Sequence, residues 1–155
     1  MMSARPVSFP GFSIACGPDD PPASAAARVT KASGSNLNAV GRFLPGPKRR
    51  LFEACYAGMR VVDDFVDDGF LALPEDDRAV RRDAAHAAVT GWVDRSRAAL
   101  GGGDWRAVAG REDDPLLAAG MTPLYDALAQ AAALGGPGAL AWDRLGQAMH
   151  RDIDE

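Results

Sequence analysis

Cysteine is nearly absent: Cys16 and Cys55 are the only two in 155 residues. One sits in a Pro/Gly-rich stretch and the other inside an apolar helical pattern, which excludes a disulfide framework and a cysteine metal site. That economy fits a reducing cytoplasm, and cytoplasmic is the expected location. No apolar run approaches the roughly 20 residues that span a bilayer, and the N-terminus lacks the basic-then-apolar layout of a signal peptide. Strand signals, such as alternating β-branched runs, are nearly missing too. A broad positive footprint is lacking, since 17 basic residues face 21 acidic ones for a formal charge of -4, so nucleic acid is not an expected partner. His86 and His150 are the only histidines, and neither has a partner at metal-ligand spacing in the sequence. They read as structural or exposed residues. There is no Gly-rich nucleotide loop and no serine-elbow pattern, and Gly101, Gly102 and Gly103 lack the Lys-Ser/Thr pair of a phosphate cradle.

What is present is apolar material at helical spacing. With 47% hydrophobic residues the chain can bury a single core, and the expected class is all-α. Met1–Ala27 is rich in Pro, Gly, Ala and Ser without a sustained period, and reads as a disordered tail preceding a helical domain over 28–155. The clearest helix starts near Pro47 and carries Leu51, Phe52, Cys55, Met59, Val62, Phe65 and Val66 to a stop at Gly69. At 1.5 Å per residue it is about 30 Å long, enough for one wall of a deep cavity. A second helix is expected after Pro74, with Glu75, Asp76 and Asp77 favourable at its N-terminus, running to about Leu100. Its buried seam is expected at Val80, Ala84, Ala87, Ala88 and Trp92. Gly101–Asp114 reads as a loop pinned by Trp105 and Val108. Two more helices are expected over Pro123–Leu134 and Gly138–Asp152.

The run Asp63, Asp64, Phe65, Val66, Asp67, Asp68 carries the most chemistry. On a helix Asp63 lies one turn from Asp67 and Asp64 one turn from Asp68, and each like-charge pair costs roughly 0.2 to 0.5 kcal/mol. A cation would relieve that repulsion. Carboxylate oxygens are hard ligands suited to Mg²⁺, which bridges one or two carboxylates to substrate phosphates. Asp63 and Asp67 are thus a candidate Mg²⁺–diphosphate site, the alternative being a solvated acidic face near a helix end. A calcium loop is excluded, because Val66 occupies a ligand position. Arg60, one turn earlier, is placed either to pair with Asp63 or Asp64 or to grip a diphosphate. Tyr56 lies four residues before Arg60, with its ring suited to the core and its hydroxyl to the polar site. Ser33, Gly34, Ser35 and Asn36 could cap a helix or contact phosphate oxygens.

Taken together, Ser33-Gly-Ser-Asn-Leu37, Phe43-Leu-Pro45, Arg49-Arg50 and Tyr56-Ala-Gly-Met-Arg-Val-Val-Asp-Asp-Phe-Val-Asp67 resemble, in order and spacing, the N-terminal signature of the squalene/phytoene synthase family. That family reads as a small-polar stretch, a Leu-Leu-Pro, an Arg-bearing helix start, and Tyr-Ala-Phe-Cys-Arg before an Asp-Asp-x-x-Asp box. The match covers Arg28 to Asp68 most closely, and Met149–Asp152 is similar to the Met-x-x-Asp end of a later family helix. The resemblance implies the N-terminal part of a class I isoprenoid synthase helical fold, a transferase that joins two prenyl diphosphates head to head through a cyclopropyl intermediate. It implies Mg²⁺, with Mn²⁺ as the alternative cation, on Asp63, Asp64 and Asp67, and leaves a role for NADPH open. It places Asp63, Asp67 and Tyr56 in the catalytic set, and Arg60, Ser33, Ser35 and Asn36 against the substrate. Ser33 stands where many members have histidine, Asn36-Leu37 replace Ser-Phe, and Gly58-Met59 replace Phe-Cys, so chain length and product stay open. The family's second aspartate box would fall beyond Glu155. The expectation is therefore a truncated form, inactive alone, with a non-catalytic helical binding or assembly module derived from that family as the alternative. Peripheral membrane association through a lipophilic product and self-association through exposed apolar faces are the further expected contacts.

Overall fold

A computed structural model of the chain describes residues 7–34, 36–134 and 140–155, without the side chains of 37, 38, 40, 140 and 141. Among the described residues every regular element is helical, so the class is all-α. The elements are α1 (Pro22–Ala32), α2 (Asn36–Gly41), α3 (Gly46–Asp64), a π-helical segment (Phe65–Leu71), α4 (Glu75–Leu100), a 3-10 turn (Trp105–Ala107), α5 (Pro115–Ala118), α6 (Thr122–Ala132) and α7 (Leu140–Asp154). No described helix is long and apolar enough to cross a membrane.

Packing places α3 at the centre, against α1 on one side and α6 on another, while α4 joins α6 to α7. Prolines open the helices where their missing N–H costs nothing: Pro22 in α1, Pro47 in α3, Pro115 in α5 and Pro123 in α6 all lie in the first turn. Glu75, Asp76 and Asp77 occupy the first turn of α4, where the helix dipole favours negative charge. One core of Val29, Val61, Val62, Phe65, Phe70, Val89, Trp92, Leu116, Tyr125, Trp142 and Ile153 runs through α1, α3, the π-helical segment and α4 to α7. Cys16 and Cys55 are free thiols, and burial pushes the Cys55 thiol up to about 11, so it stays protonated at neutral pH.

The structure departs from the sequence expectations at three places. First, the boundary expected at Ala27 lies inside α1, whose Ala25 and Ala26 are buried. Upstream of α1, Phe9 is buried and packs edge-on against Phe65 at 4.7 Å, with Phe12 on the same ring at 5.3 Å. Gly11 passes so close that a Cβ there would lie 2.9 Å from the Asp68 carbonyl oxygen. Aromatic burial holds a Pro/Gly-rich segment that shows no helical period.

Second, the long helix does not stay α-helical to Gly69: after Asp64 the backbone widens into the π-helical segment, ending at Leu71. Its buried residues are Phe65, Val66, Gly69 and Phe70. A pattern repeating every four to five residues suits i→i+5 bonding better than a 3.6-residue turn, and such turns recur at functional sites.

Third, the buried seam of α4 is Ala85, Ala88, Val89, Trp92, Arg95, Ser96 and Ala99. Val80 is 76% exposed and Ala87 is also exposed, so of the residues expected on that seam only Ala88 and Trp92 lie buried on it. The phase is set by Arg95, which makes a buried ion pair with Asp114 and donates to the Ala109 carbonyl at 3.0 Å. Asp114 also accepts from the Leu116 N–H at 2.8 Å, capping α5. Gly91 leaves room for this pair, because a Cβ there would collide with the Arg95 guanidinium. The 101–114 loop is anchored at Trp105 as well. Its ring is buried and its Nε1–H donates to Asp126 at 2.9 Å.

Candidate functional site

Residues 49, 53, 56, 60 and 63 recur at intervals of three and four, so Arg49, Glu53, Tyr56, Arg60 and Asp63 form one stripe along α3. The polar end of that stripe is where α3 opens into the π-helical segment. There Arg60 Nη2 lies 3.0 Å from Asp64 Oδ1, and its Nη1 lies 3.8 Å from Asp63 Oδ2. Its Nε–H is buried without a hydrogen-bond partner among the described residues.

One guanidinium does not neutralise the carboxylates around it. Asp63, Asp64 and Asp67 are all held above the ordinary carboxylate range. Partial burial is the largest cause for each. Arg60 offsets it next for Asp63 and Asp64, whereas for Asp67 the neighbouring charges of Asp63, Asp68 and Asp152 add to it before Arg60 offsets. The Asp63–Asp67 and Asp64–Asp68 couplings expected from one-turn spacing are thus present electrostatically.

Asp152 is the member sequence spacing missed. It arrives on α7, which packs against the π-helical segment, and raises both Asp63 and Asp67. The Met149–Asp152 pattern was the only sequence signal pointing to it. Among the described residues no three His, Cys, Asp or Glu side chains converge as a ready-made metal cage. A cation here would draw part of its shell from water or phosphate.

Toward the other end of the stripe, Tyr56 stacks on Phe52, with ring centroids 5.8 Å apart. Its hydroxyl donates to Ser33 Oγ at 3.3 Å, and Ser33 Oγ donates to the Thr30 carbonyl at 2.6 Å. Thr30 in turn reaches the Ala26 carbonyl at 2.8 Å and the Glu53 carbonyl at 3.4 Å, tying α1 to α3. Ser33 and Tyr56, far apart in sequence, are therefore joined one turn before Arg60. Asn36 opens α2 with its side chain exposed. Ser35 lies outside the described residues.

A cavity of about 570 Å³ opens beside the N-terminal half of α3, floored by Ala26, Ala127 and Ala131 and edged by Arg49, Arg50 and Glu53. Its size falls within the usual range for small-molecule pockets.

Comparison with known protein families, with curated proteins and with solved structures finds no match for this chain. What the described residues define by themselves is an all-α chain carrying a carboxylate-rich face with one embedded arginine.

Proposed function

We propose that this face binds a Mg²⁺–diphosphate group, and that the chain is a prenyl-diphosphate transferase of the squalene/phytoene synthase type on an isoprenoid-synthase-like helical fold. The observation that carries the reading is the gathering of Asp63, Asp64 and Asp67 around the single Arg60 guanidinium, 3.0 Å from Asp64 and 3.8 Å from Asp63. Partial burial first and neighbouring charges second hold these carboxyls above the ordinary range, and a bound cation favours their charged forms. The donors are all carboxylate oxygens, which fits Mg²⁺ or Mn²⁺ and not a softer metal.

In this reading Asp63 and Asp67 hold Mg²⁺ and Asp64 shares the charge. Arg60, released from Asp64, makes paired hydrogen bonds to diphosphate oxygens. Tyr56, oriented by Ser33, borders the diphosphate, and Asn36 and Ser35 belong to the substrate side by the sequence resemblance. Bound Mg²⁺ supplies the charge that stabilises a departing diphosphate. Arg60 adds a fixed cation to the same leaving group as an allylic carbon–oxygen bond breaks. The alanine floor of the 570 Å³ cavity, Ala26, Ala127 and Ala131, suits a prenyl chain, while its edge of Arg49, Arg50 and Glu53 is charged. The reaction is then head-to-head condensation of two prenyl diphosphates, with NADPH needed only if the product is reduced.

A non-catalytic helical binding or assembly module is the second reading. It draws on Phe43, Val80 and Leu134, which are 89%, 76% and 55% exposed. Isothermal titration with farnesyl diphosphate, with and without Mg²⁺, separates the two. Mg²⁺-dependent binding that falls at least about tenfold in Asp63→Asn/Asp67→Asn, about 1.4 kcal/mol, supports the transferase reading. Binding that ignores Mg²⁺ or survives the double substitution removes it.

A further inference from the structure

His86 on α4 and His150 on α7 are the only two histidines in the chain, and the fold brings them face to face. Their Nδ1 atoms are 2.8 Å apart, with ring centroids 5.0 Å apart and ring planes inclined at 25°. His86 Nε2 lies 2.8 Å from Asp154 Oδ1, and His150 Nε2 lies 3.4 Å from Thr90 Oγ1. The proton positions follow from what each partner can accept. A carboxylate only accepts, so His86 Nε2 carries a hydrogen. The two Nδ1 atoms then share a single proton. With both rings neutral, His150 donates from Nδ1 and accepts from Thr90 through Nε2. With one added proton, His86 donates from both nitrogens and His150 donates to Thr90. A second added proton sets N–H against N–H, and the contact has no arrangement left.

We propose that His86 and His150 form a proton-gated latch that docks α7 on α4 in the neutral and singly protonated states and releases it in the doubly protonated one. Among the described contacts Asp154 is the one charged side chain bonded to either imidazole, and Arg97 on α4 pairs with Asp143 on α7 at 3.0 Å farther along the seam without touching the histidine pair. Arg82, one turn before His86, donates to the Ile153 carbonyl at 3.3 Å and adds positive charge to the same seam. Asp83, Asp94 and Arg97 on α4, Asp143, Arg151, Asp152 and Asp154 on α7, and Asp67 and Asp68 on the π-helical segment packed beside α7 are further charged groups of these elements, with Arg97 and Asp143 lining the same groove as His150. Burial is the largest cause holding His150 below its usual range, followed by the charge of His86, with Asp154 opposing both. Release matters beyond the seam because α7 carries Asp152, whose charge reaches Asp63 and Asp67. The latch itself does not depend on the proposed transferase activity.

The sign follows from linkage. Unfolded, both histidines protonate near pH 6.5; folded, the pair accepts one proton and resists the next. The unfolded chain binds more protons below that pH, so stability falls as pH drops through it. One histidine kept neutral in the fold raises the unfolding equilibrium constant about tenfold at pH 5.5. Urea unfolding of the full chain, followed by circular dichroism from pH 7.5 to 5.5, reads this directly. The wild-type constant should rise about tenfold more than that of His150→Gln, whose amide can turn to suit either state of His86. Carboxylate titration affects both proteins alike and cancels in the comparison. An equal change in the wild type and the variant overturns the latch. Proton NMR of the imidazole C2–H signals decides without a variant: two well-separated titrations are expected, and two coincident ones near pH 6.5 exclude a shared proton.

Discussion

At the residue scale the acidic face is a place where stability is given up. Burial first, then the charges of Asp63, Asp68 and Asp152, raise the proton affinity of Asp67, so its charged form is less favourable folded than unfolded. Such a group lowers stability above its ordinary value of 3.8, and the deficit is recovered as pH falls through the raised folded value. Asp67→Asn should therefore raise the thermal midpoint of the metal-free chain at pH 7 while weakening any Mg²⁺-dependent binding. A lower midpoint at pH 7 would show that Asp67 is held by favourable contacts and not by repulsion. The stripe of Tyr56, Arg60 and Asp63 was legible in the sequence because it is local, fixed by one-turn spacing on α3, and Asp67 follows it on the π-helical segment. Asp152 and the His86–His150 contact were not, because they depend on where α7 docks, and nothing in the local spacing of either helix encodes that.

Element length and type were easier to read than element phase. The helix expected after Pro74 runs over Glu75–Leu100, and those expected over Pro123–Leu134 and Gly138–Asp152 are found as Thr122–Ala132 and Leu140–Asp154, the Gly138 start lying outside the described residues. Capping residues, prolines and glycines mark such ends locally. Phase fails in α4 because alanine fills both its faces, leaving little contrast, and because a buried Arg95 lies on the seam. The two candidate phases predict opposite outcomes for two valines. Val89 is fully buried and Val80 is 76% exposed. Val89→Ala should cost about 2 kcal/mol, the transfer of two methylene equivalents plus a small cavity. Val80→Ala should stay within about 0.5 kcal/mol of wild type. Urea denaturation of both variants checks the assignment, and a larger loss at Val80 would reverse the seam. The π-helical segment is a related case: Phe65, Val66, Gly69 and Phe70 fit a wider turn, yet over so short a stretch the same residues also pass as one more turn of α-helix.

The molecule as a whole is closed from its N-terminal side. Residues upstream of α1 cross the outer face of the π-helical segment, with Phe9 and Phe12 on the Phe65 ring and Gly11 against the Asp68 backbone. The same segment carries Asp67 and Asp68, so the crossing chain supports the acidic face from behind. In sequence it is a Pro/Gly-rich stretch with two isolated aromatics, and an isolated aromatic has no period to betray its partner. Its contribution is large even so, since Phe9 is 7% exposed and edge-on to a fully buried ring. Phe9→Ala should cost about 3 kcal/mol, at the low end for a buried phenylalanine. For a chain of this size that is a fall of about 6 to 12 °C in thermal midpoint. Phe12→Ala should cost less, because Phe12 is only partly buried. The double variant should lose less than the sum, since both rings share Phe65 as a partner. Hydrogen exchange at Phe65–Leu71 should quicken in Phe9→Ala relative to the middle of α6. A thermal midpoint unmoved by Phe9→Ala would mean that this stretch is a passive tail and that the acidic face stands without it.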